Sequence, residues 1–141
     1  MNKMFTAVAI AQLVEQGKLS FDDTISKVLP DYPNREVAEK VQIHHLLTHT
    51  SGLDDYFTPT FFESSRERFR AVKDYLPLFV NQPLKFQPGE RWSYSNAGFM
   101  LLGAIIERVS GQDYFSYVRE HIYKPAGMTD TDAFDLDHDT P

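Results

Sequence analysis

The run Met4 to Val14 (MFTAVAIAQLV) is apolar on nearly every side, with alanines that permit close approach and Gln12 as its interruption. A helix that is hydrophobic all round has no face to give to water, so this run is expected to be a buried helix with other elements packed about it. Gly17 is placed to end it. The run also imitates an export signal, because Lys3 precedes it and Ala9-Ile10-Ala11 mimics a small-residue cleavage site. Its basic part is a single lysine, however, and the apolar residues continue through Leu13 and Val14, which favours the helix. No window approaches the roughly 20 apolar residues that a membrane span needs, so none is expected.

A chain of 141 residues suits one domain with a real core. With 14 basic against 20 acidic residues, and no basic stripe, a nucleic-acid partner is not expected. The absence of cysteine removes disulfides and thiolate metal sites and leaves the redox compartment open.

After the first helix, a short capped turn or helix is expected around Asp22 to Leu29, stopped by Pro30, with Pro33 extending the chain into a loop. Ile43 to His49 is short and apolar-rich and ends at Ser51-Gly52. Ser64 to Val80 reads as a helix with a charged face, with Ser64 and Glu67 spaced as a capping box. The aromatic loop from Phe57 to Phe62 reads as core packing in preference to a cleft wall. Pro83, Pro88 and Gly89 enforce a loop leading into Trp92-Ser93-Tyr94-Ser95-Asn96, where chemistry is expected. Phe99, Leu102, Ile106 and Val109 repeat at helical spacing before Ser110-Gly111. Phe115, Val118 and Ile122 mark one more helix, closed by Pro125 and Gly127, and the acidic end from Asp130 to Asp139 is expected to fray. Strand signals are weak, so the chain is expected to be mainly α.

Five stretches, in order, carry a resemblance: Lys3 to Asp23 (KMFTAVAIAQLVEQGKLSFDD), His45 to Leu53 (HLLTHTSGL), Pro88-Gly89, Tyr94-Ser95-Asn96 with Gly98 and Leu102-Gly103, and Lys124 to Thr131 (KPAGMTDT). Together they resemble the serine β-lactamase and penicillin-binding-protein superfamily, in particular its class C-like branch, which includes esterases and D-amino-acid peptidases. The implied fold is the helical lobe of the α+β β-lactamase/transpeptidase-like fold, with residues 1–141 as a single partial domain.

The family's first motif is Ser-x-x-Lys at the start of a buried helix. Residues three apart share a helical face, so the lysine amine is held against the serine hydroxyl. Desolvation and the positive helix N-terminus disfavour an ammonium there, which leaves a lysine able to accept the serine proton. Lys3 matches that lysine, and Met1 and Asn2 are the intervening residues. The serine is therefore expected at the position before Met1, and this chain alone is expected to be inactive. The second motif, Tyr-x-Asn, is matched by Tyr94 and Asn96. The resemblance implies that the Tyr94 phenol shares proton transfer with Lys3, while the Asn96 amide binds the lysine and a carbonyl of the substrate. The third motif, Lys-Thr-Gly or His-x-Gly on a strand, has no match here.

The implied activity is acyl-serine transfer and hydrolysis of a small-molecule acyl substrate: a β-lactam, a D-alanyl peptide or a small ester. It needs no metal or organic cofactor. Relatives of this kind are often exported. Self-association through an exposed apolar helix face is a further expectation. The alternative from another class is a non-catalytic helical module that binds a ligand or partner.

Two metal readings are set aside. His45 and His49 stand one helical turn apart, but no glutamate follows the first as the zinc-protease motif requires, so both are taken as structural. Asp135, Asp137 and Asp139 alternate as in a calcium loop, but Thr140 occupies the glycine position.

Overall fold

The computed structural model describes residues 2–133 and, within them, every side chain except that of Arg66. Its elements are α1 (Lys3–Glu15), α2 (Ile25–Val28), α3 (Arg35–Lys40), α4 (Ile43–Leu47), α5 (Pro59–Glu63), α6 (Val72–Tyr75), α7 (Asn96–Ser110) and α8 (Tyr114–Val118). Two short 3₁₀ turns, Arg66–Arg68 and Leu76–Leu78, lie around α6, and a π-helical turn, Arg119–Tyr123, continues α8. No strand occurs among the described residues; the nearest approach is a single antiparallel bridge between Thr24 and Gln42.

α1 forms where the apolar run requires it and packs on α7, α8 and the π-helical turn. Its Ala9, Ile10 and Leu13 are buried against a core that includes Leu101, Leu102, Ile105 and Ile106 of α7. Truncating a side chain buried like Ile10 to alanine costs about 2–5 kcal/mol. Gln12 is satisfied on both ends of its amide: Nε2 donates to the His121 carbonyl at 3.0 Å, and Oε1 accepts from the Tyr117 hydroxyl at 3.1 Å. Gly17, at φ 73°, closes the helix, with its N–H on the Val14 carbonyl and that of Lys18 on the Leu13 carbonyl. This pair of bonds satisfies carbonyls that the helix end would otherwise leave orphaned. The burial of α1 is nevertheless incomplete. Met4 and Val8, one turn apart, are 56% and 44% exposed, so one apolar stripe faces outward.

α7 is the other long helix. The Ser95 hydroxyl caps its start by accepting from the Gly98 N–H at 3.1 Å, and Gly111, at φ 73°, ends it. Between α1 and α7 the chain makes short elements. Asn34 caps α3, a helix the sequence reading passed over. His45 closes the start of α4 by accepting the Gln42 N–H on Nδ1 at 3.0 Å.

The single helix expected over Ser64 to Val80 does not form. The segment breaks into a 3₁₀ turn, α6 and a second 3₁₀ turn, because Ser64 and Ala71 both take extended backbone and Pro77 sits in the first turn of Leu76–Leu78. Ser64 makes no capping box either; its hydroxyl bonds back to the Thr60 carbonyl at 2.6 Å. The aromatic side chains account for this breakage, since Phe61, Phe69 and Tyr75 converge, each ring tilted on the others, at 4.9–6.4 Å. A straight helix would separate them. The expected packing of the Phe57 to Phe62 loop is realised in part: Phe61 packs inward, whereas Phe57 and Phe62 are exposed.

The acidic end does not fray from Asp130. Arg119 binds the Asp132 carboxylate and the Ala133 carbonyl, and Ala133 is buried. Asp135, Asp137 and Asp139 lie outside the described residues.

Candidate functional site

Two turns of backbone bring the site together. After α4, His49 takes φ 58°, a left-handed conformation that a non-glycine residue adopts only when its surroundings hold it there. Gly52 follows at φ 81°, where a Cβ would stand 2.2 Å from the Phe86 carbonyl oxygen. That contact restricts the position to glycine. The segment from Lys85 to Ser93 then runs alongside, its N–H groups donating at 2.8 Å from Lys85 to Gly52, from Gly89 to Thr50 and from Ser93 to His49. The Pro88-Gly89 loop thereby delivers Tyr94, Ser95 and Asn96 beside the start of α1.

Lys3 stands in the first turn of α1, half-buried, and its Nζ donates to Asn96 Oδ1 at 2.8 Å across 93 positions of sequence. The Tyr94 ring lies 4.9 Å from the same Nζ and the Phe99 ring 5.7 Å. The three residues singled out from the sequence, Lys3, Tyr94 and Asn96, thus meet in one place. Asn96 is not the cap of α7, a task that Ser95 performs, so its amide is free to face Lys3. Its Nδ2 donates in turn to Asp55 Oδ2 at 2.9 Å.

Beneath Tyr94 lies His49. Its Nδ1 accepts the Ser95 N–H at 3.1 Å, and its ring stacks tilted on Tyr94 at 4.5 Å and on Phe99 at 5.2 Å. Accepting at Nδ1 requires the neutral imidazole with its proton on Nε2. Burial, helped by the positive charge of Lys3, moves its pKa below the ordinary histidine value, in keeping with that form. Asp55 and His49 are the residues the sequence did not reveal in these roles. Both sit just beyond α4, but each finds its partner more than forty residues away, and spacing carries no signal of that.

From Lys3 and Asn96 a cleft of about 550 Å³ extends between α1, α7, α8 and the segment from Tyr56 to Tyr75. Phe61, Phe69, Tyr75 and Phe115 give it aromatic walls, and Glu107 and Asp113 stand along it. Phe61 is therefore a cleft wall as well as a packing residue. At its floor the Thr6 and Tyr114 hydroxyls share a hydrogen bond at 2.7 Å. A concave, mostly apolar space with a few convergent polar groups at one end has the build of a small-molecule site.

The sequence profile of the Beta-lactamase family matches residues 1–140. The chain belongs to the β-lactamase family. Among relatives within and around this family, it is 38% identical over 136 residues to penicillin-binding protein 4* of Bacillus subtilis, an alignment covering 95% of this chain and 29% of that protein. Among solved structures, a penicillin-binding protein from Bacillus halodurans superposes with a TM-score of 0.88 at 47% identity, over 98% of this chain and 42% of the other. A D-stereospecific amidohydrolase from Streptomyces superposes with a TM-score of 0.77 at 32% identity, over 89% of this chain and 40% of the other. The chain therefore spans less than half the length of each of these proteins, and the part it shares is the helical lobe of the β-lactamase/transpeptidase-like fold. The expected fold is the observed one, and the chain is related to hydrolases of the penicillin-binding and β-lactamase type.

Proposed function

We propose that this β-lactamase-family chain carries the Lys3, Tyr94 and Asn96 portion of an acyl-serine hydrolase, and that the nucleophilic serine occupies the position immediately before Met1. The observation that carries this reading is the 2.8 Å bond from Lys3 Nζ to Asn96 Oδ1, with the Tyr94 ring against the same nitrogen. It is supported by Asn2, whose backbone already has helical angles at φ −66° and ψ −17°, so α1 can be extended backwards without a bend. A residue three positions before Lys3 then stands about 4.5 Å further along the axis on the same face.

In the proposed reaction the serine hydroxyl attacks the substrate carbonyl while its proton passes to the Lys3 amine, assisted by the Tyr94 phenol. The leaving group departs with a proton returned from that pair. Water then repeats the cycle on the acyl-serine, releasing the acid and restoring the hydroxyl. The Asn96 amide orients the acyl portion. The apolar cleft beyond Asn96 accommodates an acyl group of drug-like size. The substrate class is a β-lactam, a D-alanyl peptide or a small ester, which share acyl transfer to serine.

The test is intact-mass analysis after incubation with a chromogenic cephalosporin and a nitrophenyl ester. Protein expressed from the whole reading frame is expected to gain one acyl adduct. The isolated 141-residue chain is expected to gain none. A stoichiometric adduct on the isolated chain, or no adduct on the whole product with either reagent, overturns the proposal.

A further inference from the structure

We propose that Asp55 is a positioning residue that fixes which way round the Asn96 amide faces, and thereby reserves one Asn96 N–H for a carbonyl acceptor on the substrate. This rests on the reading of Asn96 as part of the acyl-transfer machinery.

The argument starts from what each group can do. An ionised carboxylate only accepts hydrogen bonds, the neutral lysine amine that the acyl-transfer reading needs can donate or accept, and an asparagine amide has one end of each kind. Asn96 lies between the two, with Oδ1 2.8 Å from Lys3 Nζ and Nδ2 2.9 Å from Asp55 Oδ2. Reversing the amide would set its oxygen against the carboxylate and break that bond, whereas the neutral amine could accept from the reversed N–H. The carboxylate is therefore the partner that fixes the orientation, and the two bonds polarise the amide in the same sense.

Asp55 is itself held. Its Oδ1 accepts the Tyr56 N–H at 2.9 Å, and its own N–H donates to Asp54 Oδ1 at 2.8 Å. Lys85 grips Asp54 at 3.0 Å. The Tyr56 ring is buried among Phe57, Phe61, Tyr75 and Phe79. The carboxylate therefore reaches Asn96 from a braced turn. With Lys3 on the oxygen and Asp55 on one N–H, the second N–H of the amide has no partner among the described residues. That is a donor, and the group it suits is a carbonyl oxygen such as that of an acylamino side chain.

Asp55→Asn keeps the shape and one acceptor but adds a donor, so both orientations of the Asn96 amide become acceptable; Asp55→Ala removes the partner altogether. The experiment uses protein from the whole reading frame and compares a chromogenic cephalosporin bearing an acylamino side chain with nitrophenyl acetate, which has none. Asp55→Ala is expected to lose about 10- to 100-fold more kcat/KM on the cephalosporin than on the acetate, the range for losing a hydrogen bond to a charged group, and Asp55→Asn to lose less, in the same direction. A purely structural Asp55 would depress both substrates alike. In the parent, NMR is expected to show one Asn96 side-chain amide proton shifted downfield and protected from exchange, and that protection is expected to weaken in Asp55→Asn and to vanish in Asp55→Ala. Equal losses on the two substrates, or an unprotected Asn96 amide in the parent, overturns the inference. If the variants do not fold, the parent spectrum alone decides. If the parent turns over neither substrate, the acyl-transfer reading fails while the spectrum still decides the role of Asp55.

Discussion

Tyr94 keeps its ring against Lys3 and His49 whether or not it carries a hydroxyl, so Tyr94→Phe separates chemistry from packing. In protein from the whole reading frame, acylation is expected to slow by about 10²–10⁴-fold with little change in thermal stability. Stopped-flow acylation beside a melting curve checks both parts. His49 adds a pH dependence. Its folded pKa lies below the ordinary histidine value of 6.5, chiefly through burial and then through the charge of Lys3, so below pH 6.5 the unfolded chain takes up a proton that the folded one refuses. His45 behaves in the same direction through burial and the neighbouring His44. Their contribution is complete above about pH 6.5 and is lost as the pH falls towards the depressed values. Urea unfolding across pH 7 to 5 is expected to show stability declining in that interval, with His49→Gln flattening part of the slope. A parent curve that is level from pH 7 to 5 contradicts it.

Among the elements, those that were legible in the sequence announce themselves locally. The apolar run from Met4 and the Phe99, Leu102, Ile106, Val109 spacing each end at a glycine that takes positive φ, and α1 and α7 form where these signals stand. The stretch from Ser64 to Val80 offered an equally regular local pattern and was misread, because its conformation is decided by where Phe61, Phe69 and Tyr75 must meet. Candidate site residues divide in the same way. Lys3, Tyr94 and Asn96 were visible through family resemblance, but Asp55 depends on a contact across 41 positions that no local pattern encodes. The turn after α4 gives the sharpest test at this scale. Gly52→Ala must place a methyl group where the Phe86 carbonyl oxygen lies and hold φ 81° with a side chain present. A loss of more than about 2 kcal/mol of unfolding free energy is expected from urea titration, together with loss of acylation, because the segment of backbone that carries Tyr94 is laced to this turn. By contrast Gly127→Ala, where nothing lies within 4 Å of the added Cβ, should cost only the backbone strain.

For the molecule as a whole, the outward stripe of Met4 and Val8 on α1, with the exposed Phe57 and Phe62 rings, sets the behaviour of the 141-residue chain in solution. Contiguous apolar patches larger than a few hundred Å² favour association. Size-exclusion chromatography of the isolated chain is expected to show concentration-dependent self-association and binding of a hydrophobic dye; a dye-silent monomer at high concentration would contradict this. The 93-residue separation of Lys3 and Asn96 also has a temporal meaning. During synthesis α1 is complete about 80 residues before the first turn of α7, its main packing partner, is made. At ordinary translation speeds that gap is roughly 4–16 s. For that interval the main packing partner of this apolar helix has not been made, and Lys3 waits for the residue to which it will bond.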